Sequence, residues 1–168
     1  FVSDDVVLDW AQLLTLISDR IAERVDTLYP EFSVQKRYAD AYAQVSRAGN
    51  LSYTALRSDL LRSIEEGNLI TTYMGHGGEV NWASEDILQL EDCKSFTNGA
   101  RLPLFITVTC EFSRYDDPLR TSAGEHLITN PNGGAVAMLT TTRAVYVCGA
   151  TLLTDSIFNV VLEREQGR

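Results

Sequence analysis

The 168-residue sequence is poor in positive charge, with 14 Lys and Arg against 23 Asp and Glu and a formal net charge of −9. Binding to the phosphate backbone of nucleic acids depends mainly on Lys and Arg, so this balance argues against a nucleic-acid partner. It argues equally against a basic helix lying on a membrane surface. The sequence also lacks any run of about 18–20 apolar residues, the length that a transmembrane helix requires.

The first residues lack the features of a signal peptide. They read Phe-Val-Ser-Asp-Asp, without a basic segment ahead of an apolar one and without an initiator methionine. We therefore expect a piece of a longer polypeptide or a processed form. The length corresponds to one domain, since domains have roughly 100–200 residues.

Cysteine is scarce, and the three cysteines are not spaced as metal ligands. Cys93, Cys110 and Cys148 form no C-x-x-C pair, so the sequence indicates neither a zinc site nor a thioredoxin-like motif. No metal and no cofactor is predicted. An odd number of cysteines cannot pair completely in disulfides, so at least one thiol stays free and could be reactive. Cys93, in an acidic loop, and Cys148 are interpreted as structural residues.

Three apolar runs are continuous rather than alternating, which is typical of parallel strands covered on both faces. They occupy residues 69–74, 103–109 and 135–139. The segments between these runs have apolar residues at helical spacing, so the sequence predicts an α/β fold with a mostly parallel sheet. The expected helices are 8–28, 52–66 with Ser52 as cap, 84–90, 122–128 and 152–164. The other expected elements are strands at 1–3 and 32–38 and a loop at 39–52.

Two of these runs end in reactive side chains. His76, flanked by glycines, follows the first run, and Cys110 follows the second, 110 − 76 = 34 residues later. One strand–helix–strand crossover fits this gap, and neighbouring parallel strands would bring both side chains to one edge of the sheet. A cysteine beside a histidine is suited to covalent acyl transfer. Taken singly, Cys110 could be a packing residue and His76 part of a turn.

A charged cluster follows Cys110 directly. It contains Arg114, Asp116, Asp117 and Arg120. It could shape a substrate pocket, or it could be a solvated loop held by salt bridges. The other histidine, His126, lies on a predicted helix as a surface or supporting residue.

Several motifs resemble the gingipain family of cysteine peptidases, and the resemblance extends over essentially all 168 residues. The most specific is Thr-Cys-Glu-Phe-Ser-Arg-Tyr-Asp-Asp, in the right order and spacing after Tyr-Met-Gly-His-Gly-Gly and Trp82. Further matching segments are residues 102–108, 122–125, 130–135 and 140–143.

The resemblance implies a caspase-like three-layer α/β/α sandwich with a cysteine–histidine dyad. His76 would be the general acid and base, and Cys110 the nucleophile. The backbone amides of Gly77 and Cys110 would form the oxyanion hole. Family members add an acidic residue after an upstream strand, and Asp5 occupies the matching position, so Asp5 is the candidate for orienting His76.

The resemblance also suggests which residues bind substrate. Tyr146 stands where the family places an aromatic wall of the specificity pocket, and Arg143 and Glu111 lie in matching segments. Asp9 is the candidate for an acidic specificity residue.

Within the family, the resemblance is to members that act as signal peptidase and sortase of the type IX secretion system. It implies protein substrates with a C-terminal sorting domain, other secretion components as partners, and a place on the extracellular face of the outer membrane. The 168 residues would form one domain, the C-terminal half of a gingipain-like catalytic domain. The alternative is a catalytically inactive caspase-like scaffold or binding module.

Overall fold

The computed structural model describes residues 1–5, 9–47 and 50–162, which form a three-layer α/β/α structure. The central sheet has five parallel strands in the order β2-β1-β5-β8-β9. These strands are β1 Val2–Ser3, β2 Arg37–Tyr38, β5 Ile70–Met74, β8 Leu104–Val108 and β9 Ala137–Leu139. Two antiparallel hairpins lie outside the sheet and consist of β3 Val45–Arg47 with β4 Asn50–Ser52, and β6 Asn81–Trp82 with β7 Leu88–Gln89.

Within the described residues, five α-helices cover the two faces of the sheet. They are α1 Asp9–Leu28, α2 Thr54–Glu66, α3 Leu90–Ser95, α4 Ala123–Thr129 and α5 Val147–Leu162. In the part of the chain that the structure describes, no helix is long and apolar enough to cross a membrane.

Alternation along β8 assigns each face of the sheet to one helical layer. Phe105 belongs to a core cluster with Leu56 of α2 and Leu127 of α4. The next residue, Ile106, packs with Ile21 of α1 and Phe158 of α5. Successive side chains of a strand point to opposite faces, so a strand buried on both sides needs a continuous apolar run. The predicted fold class is confirmed, and so are the parallel strands at all three runs.

The helix α4 is also confirmed, and its start follows from local sequence. Ser122 and Glu125 form a capping box at its first turn. The Ser122 side chain accepts a hydrogen bond from the Glu125 N–H, and the Glu125 side chain accepts one from the Ser122 N–H. Gly67 ends α2 with φ of 106°, a conformation that favours glycine.

The predicted helix at 84–90 is wrong, because the β6–β7 hairpin occupies that segment. Ala83 and Asp86 have φ values of 58° and 57°, which no helix accommodates. The Asn81 side chain holds this turn by donating to the carbonyl oxygen of Ala83 at 2.9 Å and to Asp86 Oδ1 at 3.2 Å.

The predicted boundaries at 32–38, 39–52 and 152–164 also require correction. Only Arg37 and Tyr38 of the first segment form a strand, since β1 offers two residues for pairing. The second contains the β3–β4 hairpin, in which Ser52 pairs with Val45 and does not cap α2. The helix α5 begins at Val147, and residues 163–164 lie outside the described part.

The strand β1 pairs with β5 only through Val2 with Tyr73 and Ser3 with Met74. The first residues of β5 pair with β8 on their other side, whereas towards β2 they line a pocket of about 300 Å³. This pocket lies at the opposite end of β5 from His76.

Candidate active site

The backbone of His76 is held from both sides. Its N–H donates to Asp4 Oδ2 at 3.0 Å, and its carbonyl oxygen accepts from the Tyr73 hydroxyl at 2.6 Å and from the Ala83 N–H at 2.9 Å. The exposed His76 side chain thus extends from a backbone fixed by buried groups.

Gly75 permits this arrangement because the backbone passes very close to its neighbours. A Cβ atom at position 75 would lie 2.5 Å from the Tyr73 hydroxyl oxygen and 2.6 Å from Asp4 Cβ. The Tyr73 ring is fixed in turn by Trp82, which stacks on it at a centroid distance of 4.3 Å. The glycine before His76 is therefore required by packing.

Cys110 lies at the end of β8, where the segment 140–145 passes beside it. The N–H of Val145 donates to Cys110 Sγ at 3.5 Å, and the N–H of Glu111 donates to the carbonyl oxygen of Arg143 at 3.4 Å. Thr141 donates its hydroxyl to the carbonyl oxygen of Thr109. Glu111 has φ of 53°, so the chain turns sharply at the residue that follows the thiol.

His76 and Cys110 line one small pocket of about 40 Å³. The strands β5 and β8 are adjacent and parallel, with Met74 opposite Val108, so their carboxyl ends lie at the same edge of the sheet. The other lining residues are Leu14, Gly75, Val108, Thr109, Val145, Val147 and Ala150. The two residues that the sequence singled out thus lie at one edge of the sheet, and their catalytic roles stay predictions.

The amide of Gly77, predicted for the oxyanion hole, lies in an isolated β-bridge with Trp82. The hydrogen bonds of this bridge are made by residues next to Gly77 and Trp82. The Gly78 N–H donates to Asn81 O at 3.0 Å, and the Ala83 N–H donates to His76 O at 2.9 Å. The bridge therefore leaves the Gly77 N–H unused. A Cβ at position 77 would lie 2.4 Å from Thr109 Oγ1, so this glycine touches the residue before Cys110.

Asp4, rather than Asp5, contacts the backbone of His76. The carboxylate of Asp5 accepts a hydrogen bond from the Tyr53 hydroxyl at 2.9 Å. Asp5 is 9% exposed, and its predicted role as the residue that orients His76 stays a prediction. The sequence offered one signal for Asp4, since it is the first acidic residue after β1.

Burial shifts the titration of Asp4. Its pKa is raised from 3.8 to about 6 by desolvation, and the nearby charges of Asp5 and Glu85 add to this increase. Hydrogen bonds from the backbone N–H groups of His76 and Asp5 oppose it. The carboxylate oxygens of Asp4, Asp5 and Glu85 lie within 4.8 Å of one another, so these are the described residues closest to a cation-binding arrangement.

Of the predicted substrate-binding residues, the structure describes the side chains of Arg143, Tyr146 and Glu111. Arg143 forms a two-fold hydrogen-bonded ion pair with Asp116, with one N···O distance of 2.8 Å, and Tyr146 is 87% exposed. Arg143 lowers the pKa of Asp116 mainly through its side-chain hydrogen bond. Glu111 lies 3.5 Å from an arginine of the same loop, Arg114. Asp9 is the first residue of α1, but its side chain lies outside the described part.

The three cysteines differ in burial. Cys93 is fully buried, and desolvation raises the pKa of its thiol, which makes it inert as a nucleophile. Cys148 is exposed on α5, so the expectation that it is a packing residue is wrong. Cys110 is partly exposed beside His76.

Comparisons with known proteins indicate a family and a fold for the chain. The sequence profile of Peptidase family C25 matches residues 1–168. No curated protein sequence matches the chain.

Two solved structures are similar in fold. The Arg-specific cysteine proteinase gingipain R (RGPB) has a TM-score of 0.69 and 17% identity, covering 87% of this chain and 31% of its own. The complex of the Porphyromonas gingivalis RgpB pro- and mature domains has a TM-score of 0.66 and 14% identity. The match covers 99% of this chain and 38% of the chain in that complex. The chain thus spans about a third of the length of each, and at these identities the likeness concerns the fold.

Proposed function

Because the chain belongs to peptidase family C25, the gingipain family of cysteine peptidases, we propose that Cys110 and His76 form a catalytic dyad that cleaves peptide bonds. The observation that carries the proposal is their common position: both residues line one small pocket at the carboxyl edge of β5 and β8. Parallel α/β sheets place their sites at such an edge.

The reaction proceeds through a thioester. Cys110 Sγ attacks the carbonyl carbon of the scissile peptide bond while His76 accepts the thiol proton. The C–N bond breaks, His76 returns the proton to the leaving amine, and the acyl group stays on Cys110. Water then attacks the thioester carbonyl, giving one proton to His76 and releasing the carboxylic acid, after which Cys110 regains its proton.

Backbone groups supply electrostatic support for this reaction. The N–H groups of Gly77 and Cys110 would donate to the oxygen that becomes negative when sulfur attacks. The Val145 N–H points at Sγ, and the N-terminal turn of α5 contributes Val147 and Ala150 to the same pocket. The positive end of a helix dipole favours negative charge at that point.

The substrate that we propose is a secreted protein with a C-terminal sorting domain, as for PorU-type members of the family. In this role the enzyme removes the sorting domain of type IX secretion cargo on the extracellular face of the outer membrane. The acyl group then passes to water or to an amine of a surface lipopolysaccharide. Support comes from the motifs around His76 and Cys110, which resemble that branch of the family.

The test compares Cys110→Ala with Cys148→Ala. Cargo that carries a sorting domain is incubated with each purified variant, and loss of the domain is followed by mass spectrometry. We expect Cys110→Ala to abolish cleavage, because it removes the nucleophile, and the exposed Cys148 to be dispensable. Full cleavage by Cys110→Ala would refute the role of Cys110 as the nucleophile, and absence of cleavage even with wild type would favour a scaffold. Cleavage of generic peptides without cleavage of cargo would refute only the sorting role.

A further inference from the structure

An ion-pair cluster connects the segment after His76 with the segment after Cys110. Glu79 Oε1 lies 2.9 Å from Arg114 Nη1, and Glu79 Oε2 lies 3.4 Å from Arg120 Nη1. The Glu79 side chain is 11% exposed, so solvent screens these interactions less than those of a surface pair. Arg114 also lies 3.5 Å from Glu111 Oε1.

The place of this cluster in the chain gives it a mechanical role. Glu79 is 79 − 76 = 3 residues after His76, and Arg114 is 114 − 110 = 4 residues after Cys110. The pair joins residues 114 − 79 = 35 positions apart, and it therefore links the two segments that follow the carboxyl ends of the adjacent strands β5 and β8. A shift of either segment would change the distance between sulfur and imidazole.

The start of α4 joins the same two segments through backbone hydrogen bonds. The N–H of Ala123 donates to the carbonyl oxygen of Glu79 at 2.7 Å, and the N–H of Gly124 donates to that of Phe112 at 3.0 Å. A Cβ at Gly124 would lie 2.8 Å from Phe112 O, so the approach is close. The connection between the segments therefore has two independent parts, one of side chains and one of backbone.

We infer that Glu79 and Arg114 are positioning residues that hold His76 and Cys110 in register for proton transfer. The inference rests on the proposed dyad and deepens it. The paired charges suit this task because removing either partner leaves the other with only a longer contact, that of Arg114 to Glu111 at 3.5 Å or that of Glu79 to Arg120 at 3.4 Å. The remaining charge is then less well compensated, which disfavours the present position of its segment.

The test measures alkylation of Cys110 by iodoacetamide as a function of pH, resolved by site with mass spectrometry. This readout needs no peptide substrate and reports how effectively His76 supports the thiolate. Wild type, His76→Ala, Glu79→Gln and Arg114→Ala are compared. We expect Glu79→Gln and Arg114→Ala to alkylate Cys110 about tenfold more slowly near neutral pH, because small displacements of reacting groups are costly. Their pH profiles should move toward that of His76→Ala.

Matched variants separate positioning from a general loss of stability. Glu91→Gln breaks the exposed pair of Glu91 with Lys94, whose N···O distance is 2.8 Å, and should leave the profile of Cys110 unchanged. Arg114→Lys, which keeps a positive charge beside Glu79 and Glu111, should recover part of the rate lost in Arg114→Ala, and Glu79→Asp serves as the test variant where Glu79→Gln does not fold. Circular dichroism at the assay temperature identifies the folded variants.

The outcomes distinguish this inference from the function on which it rests. A folded Glu79→Gln whose Cys110 profile stays within about twofold of wild type, beside a changed His76→Ala, overturns the positioning role alone. A folded Arg114→Lys that alkylates Cys110 no faster than Arg114→Ala also overturns it. Identical profiles for wild type and His76→Ala overturn the dyad itself.

Discussion

The substitution Asp4→Asn tests the buried carboxylate that holds the His76 backbone. Both oxygens of Asp4 accept backbone hydrogen bonds, from His76 at 3.0 Å and from Asp5 at 2.9 Å. Asparagine keeps the shape and one acceptor but cannot ionise. The two proteins should therefore differ in how their stability depends on pH.

The magnitude follows from the pKa of Asp4, which is raised from 3.8 to about 6. The folded state binds the proton more tightly than the unfolded state, so the stability contributed by protonated Asp4 is fully present below about pH 4. It is lost as pH rises through about 6. Two pKa units at about 1.4 kcal/mol each give a loss of about 3 kcal/mol that Asp4→Asn does not suffer.

The assay is urea unfolding of both proteins at several pH values between 4 and 7. The free energy of unfolding of Asp4→Asn minus that of wild type should rise by about 3 kcal/mol across this range. The facing groups Asp5, Glu85, Tyr73 and His76 remain in both proteins, so the difference isolates position 4. A difference that is flat or that falls with rising pH would refute the reasoning.

An exposed aspartate provides the matched control for that experiment. Asp26 lies on the outer side of α1 and is exposed to solvent. Asp26→Asn should therefore show a difference from wild type that stays constant from pH 4 to 7. A rise as large as that at Asp4 would mean that the effect does not come from burial.

Two further predictions concern the packing around the site. Gly77→Ala should lower the free energy of unfolding by about 1–3 kcal/mol and reduce peptide cleavage, because its Cβ would lie 2.4 Å from Thr109 Oγ1. The matched control Gly78→Ala, whose Cβ would meet nothing within 4 Å, should stay within about 0.5 kcal/mol of wild type in urea unfolding; equal effects of the two would contradict this. Trp82→Ala should cost about 3–5 kcal/mol in the same assay, because a fully buried ring stacked on Tyr73 is lost; a loss below about 1 kcal/mol would show that the stack is unimportant.

The central strands could be predicted because their signal is local. A strand covered on both faces needs apolar residues at every position, and β8 follows this rule, with Phe105 and Ile106 in opposite layers. The start of α4 is equally local, because the capping box of Ser122 and Glu125 spans three residues.

The β6–β7 hairpin could not be predicted from the spacing of apolar residues, because its turn depends on contacts between side chains and backbone. Ala83 and Asp86 adopt positive φ values, and the Asn81 side chain holds them there. Trp82 is then buried against Tyr73, which belongs to a different element. Tertiary packing therefore decides the conformation of this segment against its helical pattern.

The placement of His76 and Cys110 could be predicted from the sequence, and their roles stay predictions. The order of strands places His76 and Cys110 at one edge, and the two residues end successive runs in the sequence. The sequence does not show which of Asp4 and Asp5 contacts the His76 backbone, since two adjacent residues of one type differ only in the direction of their side chains. The sequence does not indicate the ion pair of Glu79 and Arg114, because two charges 35 residues apart belong to no local sequence pattern.

The most direct test of the account is to trap the acyl-enzyme. Wild type and His76→Ala are mixed with a peptide substrate, quenched with acid within one turnover and digested, and the cysteine that carries the acyl group is identified by mass spectrometry. The account predicts a thioester on Cys110 in wild type, none on Cys148, and far slower accumulation in His76→Ala. Acyl groups on Cys148, or equal accumulation on Cys110 with and without His76, would contradict it.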